Sequence, residues 1–180
     1  MRLRSDDAEL VYDVIGTGAP VVLLHPFPVS HEFWTSVAAA LSTRYRLILP
    51  DLRGHGDSEI GQGPALMEKH ARDLARVMDA ESVGKAAFIG CSIGGYILFE
   101  FWRKFRSRVT ALALCDTRPQ ADTAEARANR LNAAADVLER RHRGRGGHAR
   151  LRRADVRDDL RLRVPRREDR EGDRVLKRRV

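Results

Sequence analysis

Four short apolar segments, separated by stretches with helical periodicity, constrain the fold of this 180-residue chain more than any other feature. The segments are residues 21–25, 46–51, 85–90 and 110–116. Continuous apolar runs of this length are typical of strands that are buried on both faces. Helical patterns lie in residues 31–43, 65–80, 93–106 and 123–139, and a further strand is predicted at 10–15. The alternation predicts a parallel sheet with helices on both of its faces.

The sharpest motif follows the third segment and reads Gly90-Cys91-Ser92-Ile93-Gly94. It matches G-x-S-x-G and lies between a predicted strand and a predicted helix, which is the context of a nucleophile elbow. Gly90 and Gly94 must be small because the turn leaves no room for a Cβ atom. We therefore predict that Ser92 is raised above the sheet edge at a helix N-terminus, where the dipole favours developing negative charge.

A second motif, His25-Pro26-Phe27-Pro28, follows the first segment. Acyl transfer needs two backbone N–H groups aimed at the oxyanion, and Ile93 would supply one of them. Phe27 is the natural second donor, because the prolines on either side have no N–H and stiffen the loop. For His25 we prefer a structural, hydrogen-bonded imidazole that braces this loop over a catalytic role.

A third motif, Asp51-Leu-Arg-Gly-His-Gly-Asp-Ser58, follows the second segment. Gly54 and Gly56 permit a tight or left-handed backbone, and an ion pair between Asp51 and Arg53 is expected to fix the loop. A phosphate-binding P-loop is not expected, since no Lys-Ser/Thr pair follows the glycines.

Together these three motifs resemble those of the α/β-hydrolase superfamily, in the same order and at similar spacing, over about residues 8–138. Within that superfamily the chain resembles bacterial 3-oxoadipate enol-lactonases, carboxylesterases and haloperoxidase-like enzymes, although Pro26 stands where their loop usually has glycine. The resemblance implies an α/β-hydrolase core with a parallel sheet, a serine nucleophile and a small-molecule ester or lactone substrate. It implies no metal and no organic cofactor. Cofactor-free peroxidase and C–C hydrolase chemistry are the alternatives within the family.

In that family an acid and then a histidine follow the nucleophile along the chain. No strand is predicted after residue 116, so Asp116 at the end of the fourth segment is the candidate acid, the alternative being a turn cap. His148, preceded by two glycines, superficially resembles the family's last motif, but arginines surround it, and His142 has less to support it. We therefore predict a C-terminally incomplete core with impaired catalysis, because a serine without its base loses most of its activation.

Charge is distributed unevenly along the chain. Residues 1–138 carry 16 basic and 17 acidic side chains, whereas residues 139–180 carry 17 basic and 8 acidic ones and no aromatic residue. That composition is typical of disordered chains, so we predict a domain over residues 1–138 and a disordered tail over residues 139–180. Sixteen of the 17 basic tail residues are Arg, a bias that GC-rich out-of-frame codons readily produce. Our interpretation is that the tail is a frameshifted translation.

The basic tail also raises a competing class of function, a non-catalytic remnant that binds polyanions. Specific nucleic-acid recognition is not expected, because the tail lacks aromatic side chains for base stacking. No membrane contact is expected either, since no apolar run approaches the roughly 18–20 residues that cross a bilayer. The N-terminus has no apolar secretory segment, and Cys91 and Cys115 are interpreted as buried, reduced thiols. These features predict a cytoplasmic protein.

Overall fold

The computed structural model describes the backbone of residues 1–143 and the side-chain burial of residues 1–133. In this part of the chain the strands, β1 to β6, are Arg2–Ser5, Ala8–Ile15, Ala19–Leu24, Tyr45–Pro50, Ala86–Cys91 and Val109–Cys115. The helices, α1 to α4, are Thr35–Leu41, Met67–Ala80, Ile93–Phe105 and Ala124–Arg143. Short 3₁₀ segments precede α1 at His31–Trp34 and follow α3 at Arg106–Arg108.

The strands form one sheet in the order β1-β2-β4-β3-β5-β6. The four strands β4, β3, β5 and β6 run parallel, which confirms the predicted fold class. The strands β1 and β2 form an antiparallel hairpin that pairs with β4, and β1 was not predicted. Because the parallel strands end at one edge of the sheet, the residues that follow them are brought together there.

Apolar side chains cover both faces of the sheet, as the continuous apolar strands require. On one face, Val22 and Leu24 of β3 pack against α2 and α3, and α2 buries Ala71, Leu74 and Met78 at the predicted helical spacing. On the other face, β3 and β4 pack against the 3₁₀ segment and α1; the buried residues there are Val21, Leu23, Trp34, Ala38, Leu47 and Leu49. The sheet is therefore the middle layer of three.

The prediction of a single helix over residues 31–43 is wrong. The segment is a 3₁₀ turn followed by a seven-residue helix, and the Ser30 hydroxyl caps the turn by accepting from the Glu32 N–H. Its buried contacts come from Trp34 and Ala38, whereas Phe33 is exposed. The change of helix type rotates the second half of the segment, so a single 3.6-residue period assigns the wrong side chains to the core.

Strand β6 is an edge of the sheet over the residues that the structure describes. It pairs only with β5, and five of its seven residues are exposed. This edge position agrees with the sequence analysis, which predicts no strand after residue 116. The interpretation of Cys115 as buried is wrong for the same reason, because an edge strand leaves its last side chains uncovered; Cys91, one strand further in, is half-buried.

Residues Met1–Ala121 form one compact unit, and a second unit begins at Asp122. In the second unit, Thr123 caps α4 by accepting from the Ala126 N–H at 3.1 Å, and Asp122 pairs with Arg130 at 2.7 Å. The tail predicted for residues 139–180 lies almost wholly outside the described residues. The domain boundary at residue 138 stays a prediction.

Candidate active site

The chain turns sharply between β5 and α3, and Ser92 stands at the turn. Its backbone has φ +52° and ψ −113°, a left-handed conformation that is costly for a residue with a Cβ and concentrates at functional sites. The Ser92 N–H donates to the Cys115 carbonyl at 2.9 Å, and its own carbonyl accepts from the Gly95 N–H at 3.0 Å. Residues 90–95, here called the elbow, hold the half-buried Ser92 at the N-terminus of α3.

Three glycines, at positions 90, 94 and 95, allow the elbow to pack closely against itself and its neighbours. A Cβ atom at Gly90 would stand 2.7 Å from the Gly94 carbonyl carbon, and one at Gly94 would stand 2.6 Å from the Leu24 carbonyl oxygen. Both distances are shorter than real Cβ contacts, and the atoms in the way are backbone. The steric requirement inferred from the sequence for Gly90 and Gly94 is therefore present in the structure, and Gly94 brings the elbow against the end of β3.

Thr117, in the segment that follows β6, supports the elbow and was missed by the sequence analysis. Its hydroxyl donates to the Ser92 carbonyl at 2.9 Å, and its side chain fills the space that a Cβ at Gly95 would enter, 2.5 Å away. The available signal was its position, two residues beyond a strand that ends at the same sheet edge.

The loop after β3 starts with His25, which is fully buried and hydrogen-bonded through both ring nitrogens. Its Nε2 accepts from the Leu52 N–H at 2.9 Å, and its Nδ1 lies 2.9 Å from the Pro26 carbonyl, to which a protonated Nδ1 donates. Burial lowers the pKa of His25 to about 4, so the ring is neutral near pH 7. The structural role expected of His25 agrees with these contacts.

Phe27 follows, with a cis peptide bond to Pro28 and a ring that is 66% exposed. The ring meets His55 edge-on, with centroids 5.6 Å apart, and the buried Nε2 of His55 has no hydrogen-bond partner among the described residues. Over the same described range, neither the Phe27 N–H nor the Ile93 N–H donates a hydrogen bond. Two amides without internal partners thus follow adjacent strands, β3 and β5.

Asp51 organises the loop after β4, residues 51–63, here called the β4 loop. Its Oδ1 accepts from the His31 N–H at 2.8 Å and lies 2.8 Å from the His31 Nδ1, while its Oδ2 accepts from the Asp57 N–H at 2.9 Å. A Cβ at Gly56 would overlap the Asp51 carboxylate, and Gly56 has a φ of +52°. The expected pair between Asp51 and Arg53 is wrong, because this carboxylate is occupied by backbone and imidazole donors.

Arg53 is instead the centre of a buried network. Its Nε and Nη2 donate to the two carboxylate oxygens of Asp73 at 2.8 and 2.7 Å, and its Nη1 donates to Asp7 at 2.7 Å. The Ser5 hydroxyl adds a bond of 2.6 Å to Asp73. These contacts raise the pKa of Arg53, hydrogen bonding to Asp73 being the largest cause, and Asp73 lies on α2. The network ties the β4 loop to the amino-terminal hairpin and to a helix.

Asp116 follows β6 directly, beside the elbow, as the alignment of Cys91 with Cys115 requires. It is exposed and has a left-handed φ of +45°. Among the four histidines with described side chains, His25 and His31 are engaged as above, and none of the four hydrogen-bonds to Ser92. The side chains of His142 and His148 lie outside the described residues, so no general base is placed.

The described residues contain neither a metal-binding cluster nor a membrane-spanning helix. No three His, Cys, Asp or Glu side chains among them are grouped so as to hold a metal ion. None of the helices described is both long enough and apolar enough to span a bilayer.

Comparison with known proteins identifies the chain's relatives. A family model for the alpha/beta hydrolase fold matches residues 19–179. A thermophilic esterase from Thermogutta terrifontis has a structure similar to this one, with a TM-score of 0.72 and 40% identity over 76% of this chain and 53% of its own.

Two curated proteins are also similar to this chain in sequence. A soluble epoxide hydrolase from Corynebacterium is 37% identical over 111 residues, which are 60% of this chain and 38% of that protein. The 3-oxoadipate enol-lactonase 1 of Acinetobacter baylyi is 33% identical over 75 residues, which are 42% of this chain and 28% of that protein. The chain thus spans less than half the length of these curated relatives.

Proposed function

The chain belongs to the α/β-hydrolase family, and from that premise we propose that Ser92 is the nucleophile of a serine hydrolase acting on an ester or a lactone. The observation that carries the proposal is the strained conformation of Ser92 at a strand-to-helix turn closed by Gly90 and Gly94. Nothing in packing alone requires a non-glycine residue at a left-handed φ there, and such strain is a mark of functional positions.

The proposed chemistry is covalent acyl transfer. The Ser92 Oγ attacks the carbonyl carbon and gives up its proton, and the carbonyl oxygen takes up the negative charge; when the tetrahedral intermediate collapses, the alcohol leaves carrying that proton. Water then attacks the acyl-enzyme, which releases the carboxylic acid and returns a proton to the Ser92 oxygen. The N–H groups of Phe27 and Ile93 are the proposed oxyanion donors, supported by their lack of internal hydrogen bonds and by the contact of Gly94 with Leu24. Asp116 is the proposed acid, supported by its position after β6 beside the elbow.

We also propose that catalysis by this chain is impaired. No histidine side chain that the structure describes hydrogen-bonds to Ser92, and a serine hydroxyl without a base is a poor nucleophile. Turnover of p-nitrophenyl acetate by the full chain is expected to be roughly 10⁴-fold or more below that of an ordinary esterase. The proposal of impaired catalysis is wrong if the chain turns over at rates typical of an esterase and Ser92→Ala abolishes them. His148 would then become the candidate base.

A fluorophosphonate probe tests the nucleophile separately from turnover. The wild-type chain should be labelled slowly at Ser92, and Ser92→Ala should lose the label. Ser107→Ala is the matched control, because Ser107 is an exposed serine beyond α3 that has no part in the elbow. Equal labelling of Ser92→Ala and wild type would show that Ser92 is not the reactive group.

The out-of-frame interpretation of residues 139–180 remains a proposal, and the family match extends over that stretch. It predicts that another reading frame of the gene encodes, beyond residue 138, a strand, an acid and a Gly-His pair. If no frame encodes them, the proposal fails and the tail belongs to the native chain.

A further inference from the structure

The two cysteines of the chain face each other at the carboxyl ends of neighbouring strands. Cys91 ends β5, Cys115 ends β6, and the two are direct partners in the parallel ladder. Paired residues on adjacent strands place their side chains on the same face, with the strands about 4.8 Å apart. Disulfides bridge Cα atoms separated by about 4.4–6.8 Å. The register therefore places the two Cα atoms within the range that a disulfide bridges.

The surroundings make the pair accessible to small reagents. Cys115 is exposed because β6 is a sheet edge in the described structure, and its same-face neighbours on that strand, Ala111 and Ala113, are exposed too. Cys91 is half-buried on the neighbouring strand and packs against the apolar layer that includes Ala38 of α1. Burial raises the pKa of the Cys91 thiol, with smaller contributions from Cys115 and Asp116. The exposed thiol thus meets a reagent first, and the half-buried thiol lies beside it.

We propose that Cys91 and Cys115 form an oxidisable thiol pair that a small-molecule disulfide, such as oxidised glutathione, converts into an intramolecular disulfide. In the first step the Cys115 thiolate attacks a glutathione sulfur, and one glutathione thiolate leaves. In the second step the Cys91 thiolate attacks the Cys115 sulfur of the mixed disulfide and expels the second glutathione. Two protein thiols are oxidised and one glutathione disulfide is reduced to two thiols.

One cysteine of the pair belongs to the elbow and the other ends the neighbouring edge strand. Cys91 directly precedes Ser92, Cys115 directly precedes Asp116, and the Cys115 carbonyl accepts the hydrogen bond from the Ser92 N–H. A bond between the sulfurs would tie the elbow to the edge strand by a covalent link in addition to that hydrogen bond. The proposal does not depend on Ser92 being a nucleophile, since its steps involve only the two thiols.

The test is intact-mass analysis of the full chain, reduced and then incubated with oxidised glutathione under native conditions. Because the chain has only two cysteines, a loss of about 2 Da from the monomer can come only from this bridge. We expect that loss, and its reversal by dithiothreitol. Cys91→Ser should instead keep a glutathione adduct of about 305 Da on Cys115, which has no resolving partner. Cys115→Ser should be modified slowly and should never lose 2 Da.

Four outcomes would overturn the proposal. They are a lasting glutathione adduct on the wild-type chain, disulfide-linked dimers in place of the monomeric product, no reaction, and bridging that occurs in urea but not in the native chain. Circular dichroism of the two serine variants guards against misfolding. Cys115→Ser in particular should keep its fold, because the side chain is exposed.

Discussion

The elbow and the β4 loop lie at the same edge of the sheet but are held in opposite ways. The elbow depends on the absence of side chains, because its backbone lies so close to Leu24 that a Cβ atom on Gly94 would clash with the Leu24 carbonyl. The β4 loop depends on charged atoms, with Arg53 bound to two carboxylates and Asp51 bound to three donors. The elbow should therefore fail when a methyl group is added, and the loop should fail when a charge is removed.

The largest effect is expected for Arg53→Met, which removes a cation that is 1% exposed. The substitution leaves Asp73 buried without its ion-pair partner, and losing one member of a buried pair costs about 3–5 kcal/mol. Urea unfolding measures the change. Arg103→Ala is the matched control, since Arg103 makes an exposed pair with Glu100 that solvent screens, and its loss should leave stability nearly unchanged. Equal losses in the two variants would contradict the network's role.

The elbow should respond to a single methyl group. Gly94→Ala places a Cβ 2.6 Å from the Leu24 carbonyl oxygen, and overpacking against backbone costs about 1–3 kcal/mol. The same substitution at Gly84 meets nothing within 4 Å and should be neutral or slightly stabilising. Thermal unfolding compares the melting temperatures of the two variants. If Gly94→Ala is as stable as Gly84→Ala, the elbow can accommodate a Cβ atom at Gly94 and the steric argument is wrong.

This contrast also explains what the sequence could and could not predict. The elbow could be predicted because its requirements are local: five consecutive residues between a strand and a helix specify a tight turn. The Arg53 network could not, because Asp73 and Asp7 stand 20 and 46 residues away along the chain and no spacing links them. Asp51 was predicted to pair with Arg53 because the two residues are close in sequence. In the structure, the Asp51 carboxylate instead contacts the backbone N–H and the ring of His31.

Histidines beside the β4 loop provide a third, pH-dependent measure of its packing. Burial lowers the pKa values of His25 and His70 to about 4, below the unfolded value of about 6.5. The unfolded chain therefore takes up protons first as the pH falls, so stability is complete above about pH 6.5 and is lost progressively towards pH 4. Each histidine should cost about 2 kcal/mol between pH 7 and pH 5.

Chemical denaturation of wild type and His25→Asn at the two pH values checks this expectation. The variant lacks one of the histidines whose pKa is lowered, so its free energy of unfolding should fall by about 2 kcal/mol less between pH 7 and pH 5. An unchanged pH dependence would mean that the proton uptake on unfolding belongs to other groups.

The smallest effect is expected at Thr117, a polar side chain that supports the elbow. Thr117→Val keeps the shape that fills the space beside Gly95 and removes only the hydroxyl that donates to the Ser92 carbonyl. Losing this partly buried bond should cost about 1 kcal/mol, because the Ser92 carbonyl retains the Gly95 N–H as a donor. Thr117→Ala should cost more, since it also empties that space. If Thr117→Val and Thr117→Ala unfold at the same urea concentration, the hydroxyl outweighs the packing, and the elbow depends on polar contacts as the β4 loop does.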